Sequence, residues 1–211
     1  MNKISAKCKL CRRAGEKLFL KGDRCNTPKC AIIRKPSPPG MHGAKSRRAK
    51  SEYGQQLAMK QRIKRIYAVL ERQLKKYFDE VSGKPGVTGD LLMQRLEMRL
   101  DNVVYRSGLA SSRRQARQMV KHSSFRVNNK PVNIPSFEVK IGDIINIKEN
   151  KTGSPYFQQI LAVVKEKKGV GQPSWIQIDP QSASLEIKGK PTKDDFGIGI
   201  DSQMVVEFYS R

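Results

Sequence analysis

Between Arg24 and Ser51, and again between Asn102 and Phe137, the chain contains no aspartate or glutamate. These acid-free windows constrain its fold more than any other feature, because both are crowded with Lys and Arg. A solvated face interleaves the two signs to limit self-repulsion, so long windows of one sign call for a polyanion opposite. Over 211 residues Lys and Arg total 42 and Asp and Glu 19, a net charge of +23. Apolar residues make up 37% of the chain. Real cores can form but must be small, and a nucleic-acid backbone is the expected counterpart of the basic surface.

No apolar run approaches the roughly 20 residues that span a bilayer. The opening Met1-Asn2-Lys3-Ile4-Ser5 lacks the hydrophobic core of a signal peptide. The expected location is a reducing cytoplasm, with no membrane partner.

All four cysteines fall within residues 8–30, as Cys8-Lys9-Leu10-Cys11 and Cys25-Asn26-Thr27-Pro28-Lys29-Cys30. Two close pairs joined by a short loop match the spacing of a structural zinc site, in which four thiolates close the tetrahedron and leave no position open for chemistry. A reducing compartment disfavours two disulfides. Four unrelated buried thiols would not cluster in this way, while an iron–sulfur cluster with four-cysteine ligation stays open. With only Leu10, Leu18, Phe19 and Leu20 to bury locally, the segment would draw folding free energy from the metal. His42 sits in a Pro/Gly turn and reads as a loop residue near RNA.

Residues 31–51 lack hydrophobic periodicity and read as a basic arm carrying Arg34, Lys35, Lys45, Arg47, Arg48 and Lys50. A helix follows, with a stripe of Met59, Ile63, Ile66, Tyr67, Leu70, Leu74, Tyr77 and Phe78 at three- and four-residue steps. Ser82 to Gly86 breaks it. A second helix is expected from Asp90 to Arg106, stopped by Gly108. Ser112 then caps a short amphipathic helix, Arg113 to His122, with Ala116, Met119 and Val120 inward. Arg113, Arg117 and Lys121 are four apart on one side, with Arg114 beside them, and are placed to lie along a phosphate backbone. Phe125-Arg126-Val127 and Pro131-Val132-Asn133-Ile134 flank Asn128-Asn129-Lys130, a hairpin signal. A strand at Ile144 to Lys148, a helix at Ser154 to Lys165, strands at 173–179 and 184–188, a loop at 189–203 and a final strand or extended tail at Met204 to Tyr209 complete the reading.

Several stretches together resemble one family over nearly the whole chain. They are Pro39-Gly40-Met41-His42-Gly43, Tyr53-Gly54-Gln55-Gln56-Leu57, Arg65 to Gln73, Arg99-Leu100-Asp101-Asn102-Val103-Val104-Tyr105-Arg106, Arg113 to Asn133 and Val205-Val206-Glu207-Phe208-Tyr209-Ser210. The family is bacterial small-subunit ribosomal protein number four, and the four cysteines resemble its zinc-bearing branch. The resemblance implies an α+β fold. A mostly helical first domain, built around residues 1–97 and the C-terminal tail, carries a four-cysteine zinc knuckle. Into it is inserted a small α/β RNA-binding module, two short helices packed on a small β-sheet, of a kind that also occurs in some pseudouridine synthases and a tRNA synthetase.

Four segments are therefore expected: residues 1–51 as zinc knuckle and basic arm, 52–97 as the helical part of the first domain, 98–165 as the RNA-binding module, and 166–211 as C-terminal strands and tail, the end packing back on the first domain. The resemblance implies direct binding to small-subunit ribosomal RNA, nucleation of the subunit body and an influence on translational accuracy. It also implies contact with the neighbouring ribosomal protein number five, and a basic arm at Lys45, Arg47, Arg48 and Lys50 near the path by which messenger RNA enters. Arg12 and Arg13 should join that arm in holding RNA from the first domain. Arg113, Arg114, Arg117 and Lys121 should hold it from the module, mainly by phosphate and 2′-hydroxyl contacts. Cys8, Cys11, Cys25 and Cys30 should hold one structural zinc ion. Tyr53 either stacks or packs.

Two rivals belong to other classes. An RNA-modifying enzyme needs an active site, yet there is no P-loop, dinucleotide fingerprint or HExxH motif. A zinc-dependent DNA regulator needs a helix after the second cysteine pair to enter a major groove, and Pro36, Pro38 and Pro39 forbid one. The sequence reads as a structural RNA-binding protein, not an enzyme.

Overall fold

The structure is a computed structural model that describes residues 6–43, 49, 51–166, 173–179, 182–197 and 199–211. The predicted arm residues Lys45, Arg47, Arg48 and Lys50 lie outside the described residues. In chain order the helices are α1 (Lys7–Ala14), α2 (Ala31–Arg34), α3 (Glu52–Ile66), α4 (Glu71–Ser82), α5 (Thr88–Glu97), α6 (Leu100–Arg106), α7 (Arg113–Lys121), α8 (Glu149–Thr152), α9 (Pro155–Glu166) and α10 (Gln203–Tyr209). The strands are β1 (Phe125–Val127), β2 (Lys130–Val132), β3 (Ile144–Ile147), β4 (Ile176–Asp179) and β5 (Ser184–Ile187). None of the described helices is long and apolar enough to cross a membrane. The chain divides into two compact units, Met1–Gly89 with Gly199–Arg211, and Asp90–Ile198.

In the first unit α1 ends where Gly15 turns left-handed (φ 83°) and its amide bonds back to the Cys11 carbonyl. Ser51 caps α3 by accepting from the Gly54 amide. The single long helix expected across Tyr67 to Leu70 is in fact two. Ala68 adopts φ 51° and Leu70 is extended ahead of α4. The break buries both Tyr67 and Val69, which a straight helix would set about 200° apart at 3.6 residues per turn. No Gly or Pro marks it.

α10 packs on α3 and α4. Its Val205 is fully buried, alongside Ile63 and Leu74 in the unit's core. The Phe78 and Tyr209 rings lie 5.0 Å apart and those of Tyr53 and Phe208 5.6 Å. This corrects the expected final strand: Val205 and Val206 carry strand propensity, but packing against α3 outweighs a preference of a few tenths of a kcal/mol per residue (about 0.5).

In the second unit the strand order is β2-β1-β3-β5-β4, all antiparallel. Asn128 and Asn129 both take positive φ (48° and 64°), so the β1–β2 hairpin closes through the mirror-image turn that the strands' twist prefers. Phe125, Val127, Ile145, Ile147, Leu185 and Ile187 alternate onto one face. They form a single core with Leu100, Val103 and Val104 of α6, Ala116 and Val120 of α7, and Phe157 of α9. β4 and β5 thus complete the module's own sheet, and the expected division at 165/166 does not describe how the chain packs.

The helix expected from Asp90 to Arg106 is also two. Arg99 is extended and bridges Glu138, while Val139 donates to the Met98 carbonyl and Leu100 to that of Phe137. A strand-like crossing at residues 98–99 replaces helical bonding, and Gly108 (φ 80°) ends α6 as predicted.

Candidate nucleic-acid interface

α7 is built as the sequence foretells. The Ser112 hydroxyl accepts from the Gln115 amide, and Ala116 and Val120 are fully buried. Its four basic side chains do not share one solvent face, however. Arg114 and Lys121 are exposed, along with Gln118 and His122 between and beside them. Arg113 and Arg117 lean towards α6.

Their partners are two carboxylates that sequence reasoning did not single out. Glu97, completely buried, accepts from Arg106 at 2.8 Å (Nε) and 2.6 Å (Nη2) and from Asn102 Nδ2 at 2.5 Å. Arg113 stands further from it, with Nη2 at 3.7 Å, while its Nε donates to Asn102 Oδ1 at 2.7 Å. Asp101, also buried, is gripped by both prongs of the Arg99 guanidinium at 3.1 and 2.9 Å. Arg117 lies 3.7 Å from it.

Each carboxylate therefore has one tight guanidinium and one loose one. Four arginines thus converge on these two acids. The loose pair, Arg113 and Arg117, sits on the helix that carries the exposed Arg114 and Lys121. Buried ion pairs of this kind fix orientation more than they add stability. Here they hold α7 against α6 while its other side stays cationic. An acidic Glu97 and Asp101 flanking a segment otherwise free of acids was the available signal.

In the first unit Arg12 does not point to solvent. Its Nε donates to the Ser37 carbonyl at 2.8 Å and its Nη2 to that of Pro38 at 3.2 Å, so it braces the Pro/Gly turn that leaves Met41 and His42 exposed. Arg13 is exposed. Tyr53 packs on Phe208 and under Arg211, whose guanidinium carbon is 5.9 Å from the ring centre.

Cys8, Cys11, Cys25 and Cys30 are all free thiols and line one small cavity of about 20 Å³, with Leu20 and the stems of Lys7, Lys21 and Arg24. Burial pushes the Cys11 thiol up. The Leu18 amide bonded to it acts against that, and the charges of Cys25, Cys8 and Cys30 add to it. Among the described residues no set of three or more His, Cys, Asp or Glu side chains meets the geometry of a metal cage. The donor set suits a soft ion nonetheless: four thiols around one cavity, with cations at the rim to offset thiolate charge.

Comparison with known proteins gives the family. A family profile described as "Ribosomal protein S4/S9 N-terminal domain" matches residues 2–97, and one described as "S4 domain" matches residues 98–145. The chain is 47% identical over 204 residues to the small ribosomal subunit protein uS4 of Halothermothrix orenii, covering 97% of this chain and 96% of that one. It is 47% identical over 209 residues to the uS4 protein of Caldicellulosiruptor saccharolyticus, covering 99% and 98%. With the uS4 protein of Acetivibrio thermocellus it shares 47% over 206 residues, covering 98% and 97%. The chain belongs to the ribosomal protein S4 family. The stretch matched by the S4 domain holds α6, α7, β1 and β2 and ends within β3, hence it includes both loose arginines and the two exposed cations of α7. β4 and β5 lie beyond the matched stretch but close the same sheet.

Proposed function

We propose that this chain is a structural, non-enzymatic constituent of the small ribosomal subunit that binds small-subunit ribosomal RNA directly. The observation that carries this reading is the helix α7. Its inward arginines are oriented by Glu97 and Asp101, and Arg114 and Lys121 lie open on its outer side. A phosphate backbone brings negative charge against these exposed cations and releases its counterions, so affinity falls steeply with salt. Binding through phosphates reads the shape of an RNA junction rather than a base sequence.

The finer reading follows from the family. The protein binds early, nucleates assembly of the subunit body and influences translational accuracy. It meets ribosomal protein number five, and its basic arm at Lys45, Arg47, Arg48 and Lys50 lies near the incoming messenger. Arg13 holds RNA from the first unit, and Arg12 serves by bracing the turn at residues 37–43. Cys8, Cys11, Cys25 and Cys30 hold one structural zinc ion, supported by their shared cavity. The ion would tie α1 to the segment ending in α2.

The test is sedimentation of a lysate containing the tagged protein at low and moderately high salt. Persistent migration with the small subunit is expected. Migration as a free, folded protein at both salts overturns the reading.

A further inference from the structure

Among the described residues two aromatic side chains are about half exposed, Phe19 at 47% and Tyr53 at 50%. Tyr53 is already engaged by Phe208 and Arg211. Phe19 has neither a ring nor a cation against it among the described residues.

The backbone at Phe19 has φ 49°, the left-handed region that disfavours a side chain and that glycine or asparagine enters easily. The kink itself is explained from inside. Leu18 is buried and its amide is bonded to the Cys11 thiol, and Leu20 lines the cysteine cavity. Turning Leu18 and Leu20 inward on either side of one residue forces that residue out. The fold thus holds a large apolar ring at a backbone conformation that disfavours side chains, with about half of it open to water. Residues kept in such conformations cluster where a ligand is met.

The chain around the ring indicates which ligand. Lys17 and Lys21 stand two residues to either side of Phe19; Lys21 is exposed, as are Arg13 and Arg24, and Lys17 is half-buried. Lys21 and Arg24 share the rim of the cavity that Leu20 lines. An exposed ring carried by a basic segment is a means by which proteins hold unpaired nucleotides: the cations follow the backbone and the ring takes a base.

We propose that Phe19 is a stacking platform for one unpaired base of the small-subunit RNA, presented by the kink between Leu18 and Leu20. The proposal rests on the RNA-binding reading above and adds a contact to a base where that reading has contacts to phosphate.

The experiment measures binding of the full chain to a full-length small-subunit ribosomal RNA transcript across a salt series. Phe19→Ala, Phe19→Tyr and Phe19→Leu are compared, with Arg114→Gln as the electrostatic control. Phe19→Ala should bind about tenfold more weakly, as expected for loss of one stacked base. Its slope of log affinity against log salt should be unchanged, because no phosphate contact is lost, whereas Arg114→Gln should lower the slope. Phe19→Tyr should restore affinity and Phe19→Leu should not. Full affinity for Phe19→Ala overturns the proposal. So does full affinity for a folded Phe19→Leu, which would make the ring mere apolar cover, and so does a loss in Phe19→Ala that comes with a lower slope. Absence of any binding by the unsubstituted chain is a different result and overturns the RNA-binding reading itself.

Discussion

The guanidinium carbon of Arg113 lies 4.5 Å from the ring centre of Tyr105, so that α7 is clasped to α6 by a cation over an aromatic face. The same side chain donates to Asn102, and 17% of it is exposed. Arg114, the next residue, is exposed. Two adjacent arginines thus have separable roles. Arg113→Ala should destabilise the second unit by about 1–2 kcal/mol, the sum of a cation–π contact and a charge-assisted hydrogen bond. Trp175, the chain's only tryptophan, is buried in the same core, and its fluorescence in a urea titration reads this loss. Arg114→Gln should leave that titration unchanged to within about 0.5 kcal/mol and lower the RNA salt slope by about 0.7. Equal effects of the two on stability would contradict the division.

Glu97 is the most exposed to mutational loss. It is completely buried and takes hydrogen bonds from Arg106 and Asn102. Glu97→Ala leaves Arg106 and Arg113 without their shared anion beside the core. A cost of about 3–5 kcal/mol is expected for breaking a buried pair from one side, read from the same Trp175 transition. A loss below about 1 kcal/mol, the scale of a surface pair, would mean that the carboxylate does not organise α6 and α7.

What the sequence makes legible here is local. The Ser112 cap, the buried Ala116 and Val120, the Asn128-Asn129 hairpin and the stop at Gly108 are each decided by chemistry within a few residues, and each appears where expected. The breaks at Tyr67–Leu70 and Met98–Arg99 are not legible, because no Gly or Pro makes them. The first arises from burying Tyr67 and Val69 together, the second from a strand-like crossing with residues 138–139. α10 was misread for the same reason, since docking on α3 sets its conformation.

The site divides in the same way. Residue type marks Arg113, Arg114, Arg117 and Lys121 as basic, and helical spacing places three of them on one side. Only the positions of Glu97 and Asp101, brought across α6, decide which are turned inward. Arg12 was expected to hold RNA because its charge is visible in the sequence; the Ser37 and Pro38 carbonyls that engage its Nε and Nη2 are not visible there.

If one zinc ion holds the four cysteines, the purified chain should contain close to one equivalent, and Cys25→Ser should lower that content. Chelation should cost helical signal from α1 and α2, because the segment has little apolar surface with which to fold by itself. Trp175 fluorescence, reporting the other unit, should not change. A visible chromophore with iron and labile sulfide in the preparation would replace zinc by an iron–sulfur cluster. A metal-free protein with full helical signal would remove the metal from the reading.

Glu71 joins α10 to the rest of the first unit, and its chemistry makes that junction acid-sensitive. Its carboxylate accepts from Lys60 Nζ at 2.6 Å, from Lys64 Nζ at 2.9 Å and from the Tyr209 hydroxyl at 2.9 Å. The Lys60 ammonium also sits 3.9 Å from the centre of the Phe208 ring. Burial alone would raise the Glu71 carboxyl, but the bonds from Lys60, Lys64 and Tyr209 outweigh it and pull the group down to about 2 from an ordinary 4.5. Burial and the same carboxylate push the Tyr209 phenol up, so it stays protonated and donating. A carboxyl depressed in the folded state contributes stability above its unfolded value, and that contribution drains away as pH falls through the folded value. Because 43% of the Glu71 side chain is exposed, solvent screening leaves about 1 kcal/mol of it. Glu71→Gln should therefore speed hydrogen exchange of the α10 amides about fivefold at neutral pH, the rate equivalent of that energy. The gap between variant and unsubstituted chain should hold down to about pH 4.5, narrow below it and close near pH 2. A gap of constant size across that range would assign the effect to lost packing rather than to the charge on Glu71.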